Sequence, residues 1–206
     1  MMSLVNALPG AVAQGLIWGI MAIGVYLTFR ILDIADLTVD GSLGTGGAVC
    51  IMLMLSGQNV WVSMAGATAA GMAAGLATGI LHTFMGIPAI LAGILTQLGL
   101  YSINLKTMGK ANQAINVDKY DLLVSLRFIR KVPFYRNTIL VVAITIIILI
   151  AVLYWFFGTE LGCSLRATGC NDKMARAQGI NTDLSRVLGL MISNGLVALS
   201  GAMLCQ

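Results

Sequence analysis

The stretch ILVVAITIIILIAVLYWFF, residues 139–157, contains no charged side chain. A helix needs about 20 mostly apolar residues to cross the hydrocarbon core of a bilayer, and this stretch meets that requirement. Outward along the chain, comparable runs occupy residues 8–29, 43–55, 61–84, 88–105 and 184–205. The run 43–55 is short unless its helix begins within the preceding LDIADLTVDGS. The sequence therefore predicts an all-α polytopic bundle with about six transmembrane spans.

The composition points to lipid as the main solvent of the chain. Of its 206 residues, 58% are hydrophobic and 10% are charged, whereas ordinary soluble domains carry about 25% charged residues. The net charge of +4 does not indicate a nucleic-acid partner, because seven of the twelve Lys and Arg residues lie between residues 106 and 136. Charge beside membrane spans explains them better, so we predict contact with membrane lipid and no nucleic acid.

The basic loop also bears on which side of the membrane each connecting segment occupies. The preference of Lys and Arg for cytoplasmic loops places the loop 106–137 in the cytoplasm. The polar stretch 162–183 lies one span further along the chain, so the same rule places it outside.

No constellation of side chains predicts enzymatic chemistry. The cysteines show no C-x-x-C spacing, and His82 is the only histidine, so we predict no metal site. We find neither a histidine–carboxylate cluster nor a serine or cysteine with an evident base. The phosphate-binding motif G-x-x-x-x-G-K-[ST] is also absent. We therefore predict no catalytic residue and no cofactor in this chain, and any ATP would be used by a separate subunit.

Small residues recur along single faces of two predicted spans. Gly71, Gly75 and Gly79 follow Ala67 at four-residue spacing, and Gly15 and Gly19 share this spacing in the first span. Small residues let membrane helices approach closely. We predict close packing inside the subunit, with a subunit interface as the alternative.

The stretch RILDIADLTVDGSLGTGG, residues 30–47, places three aspartates beside or within the membrane. A carboxylate at hydrocarbon depth costs at least about 2.5 kcal/mol unless it faces water or a partner. The glycines would allow a broken helix of the kind that lines transport cavities. For Asp33 and Asp36, a cavity and a solvated loop both remain open. The residues that we assign to a translocation pathway are Thr38, Asp40, Gly41 and Ser42.

A second polar feature lies in PAILAGILTQLGLYSINL, residues 88–105. Gln97, Tyr101 and Asn104 fall at positions i, i+4 and i+7, which is one helix face. In lipid such groups turn inward, either to bond a neighbouring helix or to line a water path. We add these three residues to the candidate pathway.

The stretch GCSLRATGCNDKMARAQGINTD, residues 162–183, predicts a short helix between two spans. Asn171 is a good N-cap and Asp172 suits the first turn. Gly179 occupies the position where a helix ends in the left-handed conformation, which would bring Ile180 back near Ala175. A helix of about two turns is marginal alone in water. Either it packs on something or it is a mere connector.

This stretch resembles the cytoplasmic coupling loop of ATP-binding cassette (ABC) importer permeases. The longer segment SLRATGCNDKMARAQGINTDLSRVLGLMISNGLVALSGAM is similar to the corresponding region of the branched-chain amino acid and sugar permease family. The segments LDIADLTVDGSLGTGGAV and GIPAILAGILTQLGLYSINL resemble an amino-acid subgroup, sometimes linked to aromatic amino acids. The resemblance runs from about Leu8 onward.

The resemblance implies a permease that moves a small solute, such as an amino acid, across the plasma membrane of a prokaryote. It implies three protein partners: a separate ATP-binding subunit, an extracellular substrate-binding lipoprotein and a second, homodimeric permease subunit. It assigns contact with the ATPase to Asp172, Ala175, Arg176 and Gly179, and it places their loop in the cytoplasm, against the charge rule. Members usually continue past this length, so residues 1–206 would form a permease domain incomplete at its C-terminus. The alternative is an ion-coupled secondary transporter or channel that uses Asp33, Asp36 or Asp40.

Overall fold

The computed structural model describes residues 2–110 and 138–206, so most of the basic loop 106–137 lies outside the described residues. The described part is helical and contains no strand. Its α-helices are α1 (Met2–Tyr26), α2 (Val39–Leu55), α3 (Val60–Thr83), α4 (Ala89–Met108), α5 (Thr138–Gly158), α6 (Glu160–Cys170), α7 (Asp172–Ala177) and α8 (Thr182–Leu204).

Five segments of the described residues are long and apolar enough to cross a membrane. They are Leu8–Ile31, Val60–Thr83, Ala89–Met108, Ile139–Gly158 and Thr182–Leu204. The sixth predicted span corresponds to α2, a 17-residue apolar helix that begins at Val39, within LDIADLTVDGS. At 1.5 Å per residue α2 is about 26 Å long. The all-α polytopic bundle is confirmed.

Helix α8 occupies the centre of the bundle. In its apolar stretch 61% of the residues are buried, whereas only 11% are buried in the corresponding stretch of α5. Helices α1, α2 and α3 pack around α8. The side chains of Ile147 and Trp155 on α5 are exposed, as expected for a helix whose outer surface faces lipid.

Helix α2 runs parallel to α8, because Ser42 contacts Asn194 while Gly46, one turn later, lies against Ala198. Helices α1 and α3 run antiparallel to both. These directions bring several connecting segments to one end of the bundle, which we call the α7 end. It comprises residues 32–38, the α3–α4 turn, α6 and α7.

The glycine face of α3 packs against α8 inside the subunit, as predicted. A Cβ atom built on Gly75 would lie 2.3 Å from the backbone oxygen of Leu190, and one on Gly71 would lie 2.5 Å from that of Asn194. The same prediction is wrong for the first span, since a Cβ on Gly15 or Gly19 meets no atom within 4 Å. Close packing within the subunit thus belongs to α3 and not to these α1 glycines.

Two elements at the α7 end are not expected from the sequence pattern. The last turn of the first span is π-helical over Leu27–Ile31, and its Ile31 carbonyl lies directly beside Gly169 of α6. Helix α6 begins where the Thr159 hydroxyl accepts a hydrogen bond from the Gly162 N–H. Its glycines obscure the amphipathic pattern whose buried face carries Leu165.

Candidate functional site

Helix α7 is capped at both ends by its own sequence. The Asn171 side chain accepts a hydrogen bond from the Met174 N–H at 3.2 Å. At the other end Gly179 has a φ of +85°, and the Ile180 N–H donates to the Ala175 carbonyl at 3.1 Å. This is the hydrogen-bond pattern of the Schellman motif. The predicted two-turn helix and both of its caps are confirmed.

A charged network joins α7 to the start of α8. Arg176 donates to the Thr182 hydroxyl at 2.7 Å and pairs with Asp183 at 2.8 Å. Asp172 pairs with Arg186 at 3.3 Å. A single exposed ion pair stabilises little, but a network of several fixes geometry better. The network therefore connects α7 to the first turns of α8.

The predicted coupling residues differ in exposure. Ala175 is only 3% exposed and packs inward, whereas Asp172 is half-buried and Arg176 and Gly179 are exposed. The side that a partner could reach carries Met174, which is 60% exposed. We call this side the α7 surface; its residues are Lys173, Met174, Ala177 and Gln178. A methionine within a short polar helix is the sequence signal for it.

A polar network crosses the bundle between α2 and α8. The Ser42 hydroxyl donates to Asn194 Oδ1 at 2.5 Å, and Asn194 Nδ2 donates to Asp36 Oδ2 at 2.7 Å. The other oxygen of Asp36 accepts the Thr38 N–H at 2.8 Å. Ser42 and Asn194 are both fully buried. The network holds the segment before α2 against the middle of α8.

Asn194 lies deep in the bundle, about 18 Å along α8 from Thr182 at 1.5 Å per residue. Asp36 bonds to it and is half-buried. Between the two interpretations open for Asp36, this position favours a cavity or partner over a solvated loop. Among the described residues, no Lys or Arg forms an ion pair with Asp36. Sequence inspection misses Asn194, because one amide in a helix rich in small residues gives no pattern.

The remaining pathway candidates do not form one cluster. The Thr38 hydroxyl lies 2.8 Å from that of Thr78 on α3, on the same side as the Asp36–Asn194 network. Asp40 is exposed. Gly41 abuts Gln97, and Gly44 lies beside Asn104, so this second set lines the α2–α4 interface. Tyr101 is 66% exposed. Within the described ranges, Gln97, Tyr101 and Asn104 form no side-chain hydrogen bond to another helix.

Replacing Asn194 by alanine is expected to lower the thermal stability of the protein in detergent. The change removes the only side chain that bonds both Ser42 and Asp36 in the described structure, and an orphaned buried polar group costs about 1–3 kcal/mol. The matched control is Ser102→Ala, because the Ser102 hydroxyl is exposed and bonds only its own helix. The unfolding temperatures of Asn194→Ala and Ser102→Ala would be measured beside that of the wild-type protein. Equal unfolding temperatures for the two variants would contradict a structural role for the network.

These features define a class: a multi-pass helical membrane protein with a double-capped surface helix joined to its central span. The chain belongs to the family described as branched-chain amino acid transport system permease components, whose match covers residues 8–206. This confirms the family resemblance that the sequence motifs predicted.

Several curated relatives match over most of the chain. The tyrosine transport system permease protein of Clostridioides difficile is 37% identical over 98% of this chain and 65% of its own length. An uncharacterized protein of Rickettsia prowazekii is 34% identical over 98% of this chain and 68% of its own length. The autoinducer 2 import system permease protein of Yersinia pestis is 31% identical over 88% and 50%. The chain thus spans about two thirds of the length of the first relatives, and no solved structure matches it.

Proposed function

We propose that the protein is a permease subunit of an ABC importer that moves an amino acid across the plasma membrane of a prokaryote. Family membership supports the transport role, and the relative named as a tyrosine permease supports an aromatic amino acid as cargo. The observation that carries the proposal is α7 itself: it is capped at both ends, ion-paired to the central span, and open on one side. This is the form expected of a docking element for a separate ATPase.

In this proposal, separate protein subunits hydrolyse ATP, form the pathway and deliver the solute. An ATP-binding subunit contacts the α7 surface, a second permease subunit completes the pathway, and an extracellular substrate-binding lipoprotein delivers the solute. The chain itself performs no chemistry. The α7 end then lies in the cytoplasm, and the basic loop 106–137 lies outside, opposite to the tendency of Lys and Arg.

The proposed mechanism is alternating access. Closure of the ATPase pair displaces α7, and the Arg176–Asp183 and Asp172–Arg186 pairs pass the displacement to α8. Helix α8 then tilts against the glycine face of α3 without opening large voids. Asn194 stays bonded to Asp36 while α8 tilts, and the solute would cross beside this contact.

The proposal is tested by transport in proteoliposomes that contain the full-length permease, its ATPase and its binding protein. We expect uptake of radiolabelled L-tyrosine or another amino acid of a 20-member panel only with ATP, and no dependence on a Na⁺ or H⁺ gradient. Uptake that needs an ion gradient and no ATPase would favour the ion-coupled alternative. Uptake of no amino acid under any condition would contradict the proposed cargo.

A further inference from the structure

An open cavity of about 520 Å³ lies at the α7 end, apart from the Asp36–Asn194 network. Its walls come from residues 32–35, from the α3–α4 turn, from the end of α6 and from the starts of α7 and α8. The polar side chains that line it belong to Asp33, His82, Thr168, Cys170, Asn171, Asp172 and Arg186. A volume of this size matches that of sites for small organic molecules, about 300–1,000 Å³.

The cavity is rich in hydrogen-bond acceptors. Asp172 Oδ2 pairs with two arginines, but its Oδ1 is buried and has no hydrogen-bond partner within the described structure. His82 Nδ1 lies 2.9 Å from the Ile87 carbonyl. Because a carbonyl can only accept, Nδ1 is the donor of this bond, and in the corresponding neutral tautomer Nε2 is an acceptor. The exposed carboxylate of Asp33 adds further acceptors. A ligand in the cavity can reach the Asp33 carboxylate directly, so a ligand that donates hydrogen bonds would be favoured.

The acceptors suit an organic ammonium group better than a metal ion. In the described ranges, no three His, Cys, Asp or Glu side chains lie close enough together to hold a metal. An ammonium group carries three donors on one nitrogen and needs fewer converging ligands than a metal ion, so a single carboxylate with a neighbouring acceptor can bind it. Arg186 also lines the cavity, and its guanidinium group can donate two parallel hydrogen bonds to a carboxylate. The combined preference is for a zwitterion.

We infer that this cavity binds a free amino acid at the α7 end, as a product site distinct from the transport pathway. The inference rests on the proposed function, which makes an amino acid the solute released on this side. A bound amino acid would bridge the segment before α2 and the α6–α7 region, which must separate if α7 is to move α8. A ligand shifts an equilibrium toward the state that it binds better. Accumulated product therefore slows further import.

Binding is measured first, with radiolabelled L-tyrosine and the full-length permease in nanodiscs without its ATPase. We expect saturable binding that Asp33→Asn weakens about tenfold. Asparagine tolerates the left-handed backbone of Asp33, whose φ is +56°, so this substitution removes charge without strain. The matched control is Glu160→Gln, which removes one negative charge from the exposed start of α6, outside the cavity. Tyramine should compete in part, and 3-(4-hydroxyphenyl)propionate, which lacks the amine, should not compete.

Regulation is measured in the proteoliposomes described above, as the ratio of initial uptake rates with and without internal L-tyrosine. We expect internal L-tyrosine to lower this ratio at least twofold in wild type and in Glu160→Gln, but not in Asp33→Asn. If uptake proceeds while the ratio stays at one and Asp33→Asn binds normally, the product site is refuted and the proposed function stands. If ATP drives no uptake even without internal L-tyrosine, the proposed function fails instead.

Discussion

Replacing Gly75 with alanine should destabilise the protein by about 3 kcal/mol or more and prevent recovery of a monodisperse species. The added methyl group would lie 2.3 Å from the Leu190 carbonyl oxygen and 2.8 Å from Met191 Cα. These are backbone atoms and cannot rotate away, so α3 and α8 must separate. Overpacking of a tight core commonly costs about 1–3 kcal/mol and sometimes more. The measurement is the unfolding temperature and the size-exclusion profile of the full-length protein in detergent.

Gly99→Ala is the matched control for this experiment. Gly99 lies inside α4, and a Cβ atom built on it meets nothing within 4 Å. Because alanine has the higher helix propensity, this substitution should leave the protein as stable as wild type or slightly more so. Equal unfolding temperatures for Gly75→Ala and Gly99→Ala would show that α3 and α8 are not packed as described.

The second large effect is expected from Met174→Glu, which should abolish co-purification of the ATP-binding subunit and reduce ATP-driven uptake more than tenfold. Met174 is 60% exposed at the centre of the α7 surface. In the proposed complex it would be buried as a hot spot of the interface, and loss of a hot-spot contact costs about 2 kcal/mol or more, or about 30-fold in affinity. An introduced carboxylate adds the cost of burying an unpaired charge. Affinity purification of the tagged permease, followed by the uptake assay, measures both effects.

Met174→Leu is the paired control, because it keeps an apolar side chain of similar size at the same exposed position. We expect it to retain the ATP-binding subunit and most of the uptake. Ala175→Arg would be a poorer probe, since Ala175 is buried and a large cation there would disturb the packing of α7. Retention of the ATP-binding subunit by Met174→Glu would exclude the α7 surface as its docking site.

Some of these features could be predicted because their determinants are local in the sequence. Asn171 and Gly179 act within a few residues of themselves, through hydrogen bonds that any chain with this sequence can form. The spans follow from length and apolarity alone. The beginning of α2 at Val39 needed only the condition that a short apolar run must extend backwards to cross the membrane.

Other features depend on which elements meet in space, which periodicity does not reveal. Gly15 and Gly75 share the same four-residue spacing pattern, yet only Gly75 faces a close neighbour. The bond between Asp36 and Asn194 joins residues 158 positions apart, so no local pattern pairs them. The inward position of Ala175 likewise depends on the fold around α7. Alanine suits an exposed or a buried helix position equally well.

The near-central position of Asn194 along α8 has a mechanical consequence. About 18 Å of helix lies between Thr182 and Asn194, and about 15 Å between Asn194 and Leu204. With its midpoint held by hydrogen bonds to Ser42 and Asp36, α8 would behave as a lever with two almost equal arms. A sideways shift of about 3 Å at the Thr182 end would swing the Leu204 end about 2.5 Å the opposite way. Opening one mouth of the bundle would then narrow the other.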